Sequence, residues 1–96
     1  MNAFIIATVT IHDAEGFEKY VEAFAALFGS YKGEVLVADG APLLLEGSWP
    51  ATRTVIIRFD SEAEALRWYH SDEYQAAIKL RIGASTVDMI LAKALA

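Results

Sequence analysis

The sequence has no cysteine, and only two prolines and two histidines among its 96 residues. Without thiols there is no disulfide framework, no thiolate nucleophile and no sulfur-ligated metal. Two histidines with no H-x-x-E-type spacing make no recognisable zinc or iron set, and haem would have to conscript His12 or His70 as an axial ligand. The six glycines are scattered, so no Gly-rich loop cradles a phosphate. Positive charge is scarce as well: eight Lys and Arg stand against thirteen Asp and Glu, a net charge of −5. An acidic chain without basic runs is a poor match for a phosphate backbone or an anionic membrane surface. No apolar run is long enough to span a bilayer. The opening segment MNAFIIATVTIHDAEGF has no basic stretch and soon meets acids, unlike a signal peptide. These absences predict a cytoplasmic chain with no metal, cofactor, nucleic-acid partner or membrane partner.

Apolar side chains, by contrast, are abundant: 55% of residues are hydrophobic and 22% charged. The length fits one domain over residues 1–96. A chain this short buries only roughly 60–65% of its unfolded surface. It holds more apolar surface than one small monomer easily hides, which predicts self-association.

Residues 3–11, AFIIATVTI, are short and β-branched and predict a first strand. Asp13 offers an N-cap. Phe17, Tyr20, Val21, Phe24, Leu27, Phe28 and Tyr31 then recur at helical spacing, so residues 14–31 predict an amphipathic helix with Gly33 as its C′ residue. EVLVA, residues 34–38, predicts a second strand, broken at Gly40 and Pro42, with LLLEG as its extension beyond the break. Pro50 marks a loop. TVIIRF, residues 54–59, is the clearest strand. Ser61 with Glu64 reads as a capping box before a helix that buries Ala65, Leu66 and Tyr69. RWYHSDEYQ, residues 67–75, looks at first like a catalytic cluster. It reads better as a helix break, with Ser71 capping a new helix over 72–82 and Asp72 and Glu73 complementing its dipole. TVDMILA, residues 86–92, closes the chain as a fourth strand.

The order β-α-β-β-α-β predicts an α+β, ferredoxin-like antiparallel sheet with its helices on one face. Alternation assigns Ile5, Ala7, Val9, Ile11, Val35, Val37, Val55, Ile57, Phe59, Val87, Met89 and Leu91 to the helix-facing core. The other face carries Phe4, Ile6, Thr8, Thr10, His12, Leu36, Ala38, Ile56, Arg58, Asp88 and Ile90. A solvated face should be mostly polar. This mixed one suits a dimer interface, a pocket wall, or two sheets packed around a cavity.

Phe59, Ser61, Glu64-Ala65, Trp68-Tyr69, Ser71, Glu73-Tyr74-Gln75 and Arg81 together resemble the domain of unknown function 1330 family. Tyr31, Gly33, Gly40, Glu46-Gly47 and Trp49 fit the same pattern, so the likeness covers nearly the whole chain. Arg58 departs from it, standing where the family often carries an acid. The resemblance implies a protomer of the dimeric α/β-barrel superfamily, pairing sheet to sheet. That superfamily includes monooxygenases, muconolactone isomerases and haem-degrading enzymes, but this branch brings no established activity.

The candidate pocket residues are Arg58, His12, Thr8, Thr10, Tyr31, Trp49 and Tyr74. Arg58 would either pair with Asp88 or an acid across the dimer, or anchor a carboxylate or enolate. His12 is either a loop-edge residue or an acid–base group. Thr8 and Thr10 are ordinary strand residues that could line a cavity. Tyr31, Trp49, Trp68 and Tyr74 supply packing area, and Glu46 and Arg81 suit structural pairing. The expected function is a homodimeric small-molecule-binding domain. The alternatives are a cofactor-independent isomerase or monooxygenase acting on a small aromatic or enolisable acid, and a structural dimer without ligand.

Overall fold

The computed structural model describes residues 1–49 and 51–95. Its elements are β1 (Ala3–Ile11), α1 (Ala14–Phe28), β2 (Gly33–Asp39), β3 (Arg53–Phe59), α2 (Glu62–Tyr69), α3 (Asp72–Arg81) and β4 (Ser85–Lys93). The strands form one antiparallel sheet in the order β2-β3-β1-β4, the ferredoxin-like arrangement. The Cα envelope measures 33 × 31 × 16 Å, the thickness of one sheet and one layer of helices. One face of the sheet is therefore bare in the protomer.

The two serine caps form as expected. Ser61 Oγ accepts the Glu64 N–H at 3.1 Å, and Ser71 Oγ accepts the Tyr74 N–H at 3.1 Å. Ser71 also donates to the Trp68 carbonyl at 2.8 Å, tying the end of α2 to the start of α3. RWYHSDEYQ is thus a helix junction. Asp13 sits at the N-cap of α1 but makes no side-chain cap bond. The capping box at Ser61 does not close either. The Glu64 carboxylate reaches away from its own helix to accept the Lys32 N–H at 2.8 Å and to pair with Arg67.

Several boundaries differ from the sequence expectation. α1 stops at Phe28, three residues before Tyr31, and the chain turns as the Ser30 and Tyr31 N–H groups bond Leu27 and Phe28. Gly33 is not the helix C′ residue; it opens β2. A Cβ there would lie 2.7 Å from Phe59 Cε1 and 2.8 Å from Phe28 Cζ, so only a missing side chain lets both rings close over the strand. LLLEG does not resume the strand. Asp39 Oδ1 accepts the Ala41 N–H at 2.9 Å, which turns the chain away. Pro50, on which part of the loop expectation rested, lies outside the described residues.

A bulge between Val35 and Val37 changes the faces of β2. Val35 pairs with Ile57 and Ala38 with Val55, so these two share the helix side, whereas Val37 pairs with Ile56 on the other. The expected placements of Val37 and Ala38 are therefore exchanged. Elsewhere the alternation holds: Ala3, Ile5, Ala7 and Val9 are buried, with Ile57 and Phe59 beside them. Phe59, Trp68 and Tyr74 are wholly buried, and the Trp68 and Tyr74 rings lie 4.1 Å apart. Each such side chain contributes roughly 1.5–3 kcal/mol through burial. α1 supplies Phe24 and Phe28, stacked at 4.6 Å, against this cluster.

Candidate functional site

The small side chains at the middle of the sheet leave a space that the α1 rings roof over. Ala7, Val9, Val55 and Val87 form the floor, while Phe17, Tyr20, Val21 and Phe24 form the roof. Trp68 and Met89 close it further, leaving a cavity of about 230 Å³. The β2 bulge turns both Val35 and Ala38 into the wall. Val35 is 42% exposed while lining the cavity, which places its mouth at the β2 edge.

Few polar groups interrupt this lining. Arg53, the first residue of β3, holds its guanidinium carbon 5.6 Å from the Phe17 ring centre. Arg81, the last residue of α3, lies 5.4 Å from that of Tyr20. The Tyr20 and Tyr74 hydroxyls share a 2.7 Å hydrogen bond. Burial, reinforced by Tyr74, holds the Tyr20 phenol well above its ordinary range, so it stays protonated. Burial works against the Arg81 charge, but the Tyr74 and Tyr20 oxygens outweigh it and Arg81 stays cationic. Among the described residues, the buried side-chain nitrogens and oxygens without a hydrogen-bond partner are Arg53 Nε, Trp68 Nε1 and Arg81 Nε. All three belong to residues that line this cavity.

Of the seven candidate pocket residues only Tyr74 adjoins the cavity, through Tyr20, whereas Trp68 and Arg81, read in the sequence as packing and structural pairing, line it. Thr8, Thr10 and Arg58 lie on the opposite sheet face. Thr8 is flanked by Thr54 and Asp88, and Thr10 by Thr86. Arg58 pairs with Asp60 at 2.9 Å and Glu34 at 3.6 Å. The expected bridge to Asp88 is absent because β1 separates β3 from β4. His12 Nε2 is hydrogen-bonded to Thr86 Oγ1 at 2.8 Å. Tyr31 lies under the Arg67 guanidinium, 4.4 Å from ring centre to Cζ, in a shallow groove between α1 and α3. Trp49 donates to Thr54 Oγ1 at 2.9 Å beside Leu43, Leu44 and Leu45. No group of three or more His, Cys, Asp or Glu that could hold a metal ion occurs among the described residues. No helix among them is long and apolar enough to cross a membrane.

Sequence reasoning passed over Arg53 and Tyr20. Arg53 was left outside the strand, although extending TVIIRF by one residue sets it in step with Val55, Ile57 and Phe59 on the core side. A charge in that phase was the available signal. Tyr20 was absorbed into the apolar stripe of α1, and nothing local distinguishes it there.

Solved structures share this architecture at low identity. A protein of unknown function from Rhodopseudomonas palustris is 19% identical with a TM-score of 0.79, over 99% of this chain and 83% of that one. A dimeric ferredoxin-like protein of unknown function from Thermobifida fusca is 14% identical with a TM-score of 0.70, over 98% and 92%. SnoaB, a cofactor-independent oxygenase from Streptomyces nogalater, is 19% identical with a TM-score of 0.67, over 97% and 92%. No curated protein matches the sequence. At family level the match is direct: the domain of unknown function (DUF1330) covers residues 2–95, and the chain belongs to that family.

Proposed function

We propose that this protein is a homodimeric domain that binds a small molecule in the cavity between α1 and the sheet. One observation carries the reading: the orphan donors of Arg53, Trp68 and Arg81 all belong to the wall of the same apolar space. A buried donor left unpaired costs about 1–3 kcal/mol. Buried polar groups are normally satisfied, so three orphans on residues around one cavity call for an acceptor. An apolar cavity with a few placed polar groups is the usual form of a ligand site. A structural dimer without ligand leaves all three donors unexplained. A role in catalysis for Arg58 or His12 would put the substrate on the bare sheet face, away from this space.

Dimerisation is supported by that bare face. Ile90 is 59% exposed, and Phe4, Ile6 and Ile56 surround it. The dimeric ferredoxin-like structures add fold-level support.

The test uses the two tryptophan indoles. In proton–nitrogen correlation spectra, acetylnaphthalene should shift the Trp68 indole N–H, because its rings would lie in the cavity that Trp68 lines. Trp49, already bonded to Thr54, should stay in place. A Trp68 signal unmoved by acetylnaphthalene and by its carboxylate analogue would sink the reading.

A further inference from the structure

The four arginines divide by their surroundings. Arg58 and Arg67 lie outside the cavity, and each holds a carboxylate: Arg58 has Asp60 at 2.9 Å, and Arg67 has Glu64 at 2.8 Å. Arg53 and Arg81 line the cavity, and neither has an ion pair among the described residues. Thirteen acids are present in the chain, yet the fold brings none to these two guanidiniums. Both are half-buried with their Nε atoms out of water, and a cation partly withdrawn from water without a counter-ion is costly.

The two arginines also lie against neighbouring rings. The Phe17 and Tyr20 rings lie 5.4 Å apart on one side of α1, with Arg53 against the first and Arg81 against the second. Two unpaired cations thus share one end of a cavity whose other walls are apolar. The guanidinium fork matches a carboxylate in shape and charge. An inorganic anion would satisfy the cations but leave the apolar walls unfilled. An apolar cavity of roughly 150 Å³ accommodates benzene, so about 230 Å³ suits a fused bicyclic body.

Building on the binding reading above, we infer that the ligand is a flat aromatic monocarboxylate, with its carboxylate between Arg53 and Arg81 and its rings over the floor of Ala7 and Val55. Trp68 Nε1–H remains for a second oxygen on the ring system.

Isothermal titration calorimetry at neutral pH with naphthoate and acetylnaphthalene tests this. The two compounds match in shape, one carrying a carboxylate oxygen where the other carries a methyl. Naphthoate should bind at least about tenfold more tightly, the worth of one charge-assisted hydrogen bond. Arg53→Met and Arg81→Met should each shrink that preference. Equal affinities in the natural protein would overturn the inference and leave the cavity reading standing. A preference surviving in both folded variants would overturn it too, by placing the anion elsewhere. Binding of neither compound would remove both readings. The comparison in the natural protein is decisive by itself should a variant fold poorly.

Discussion

At Gly33 an absent methyl group shapes the core. The residue does not need the left-handed backbone conformation, so glycine is there for space alone. Phe28 and Phe59 meet over it at 5.8 Å in an edge-to-face pair, and Phe59 has no exposed surface. In Gly33→Ala the new Cβ would press on both rings. Overpacking of this kind costs about 1–3 kcal/mol. Alanine also restricts the unfolded chain, which offsets the loss by up to about 1 kcal/mol. Urea unfolding should therefore show a net loss, and a variant as stable as the natural protein would mean that the rings yield freely. The cavity shows the same sensitivity to small volumes. It exists because Ala7, Val9, Val55 and Val87 are short, and a sum of volumes across three strands cannot be seen in any one stretch of sequence.

Among the elements, what was legible in the sequence is what is local. Ser61 and Ser71 cap their helices because a hydroxyl and an N–H three residues on need nothing else. The β2 bulge was not legible: Val35, Leu36 and Val37 carry no mark of it, and pairing with β3 decides it. Glu64 lies between these cases. Its position in the first turn of α2 and its neighbour Arg67 three residues on were readable, but its partner Lys32 comes from elsewhere in the chain. The Arg67 hydrogen bonds and the Lys32 N–H hold its carboxyl at about 2, down from 4.5. Because the folded value lies below the unfolded one, its contribution is fully present above pH 4.5 and disappears as the pH falls towards about 2. Natural protein should lose urea resistance across that window. Glu64→Gln, which cannot titrate, should lose visibly less. Parallel losses in the two proteins would show that the Lys32–Glu64–Arg67 link contributes nothing across this pH range.

At the scale of the whole molecule the open feature is the uncovered side of the sheet. Ile90, Ile6, Ile56 and Val37 form a row across all four strands, one residue from each. Beyond the β2–β3 edge, Leu43 and Leu45 are 85% and 84% exposed, and Trp49 ties their loop to Thr54 on the same face. A second copy of the chain, pairing sheet to sheet about a two-fold axis, would cover this row with its own equivalent. The side chain of Ile90 is open to solvent in the protomer, so Ile90→Asp should leave the monomer fold intact. In the dimer it would bury an unpaired carboxylate twice, at a cost of several kcal/mol per ion. Sedimentation velocity should show the natural protein as a dimer and Ile90→Asp as a monomer, with dimer affinity weakened at least about a hundredfold. Unchanged far-ultraviolet circular dichroism would confirm that the fold survives. A variant that stays dimeric would move the interface to the helix layer. It would also bring assembly nearer the cavity, since α1, which roofs the cavity, belongs to that layer.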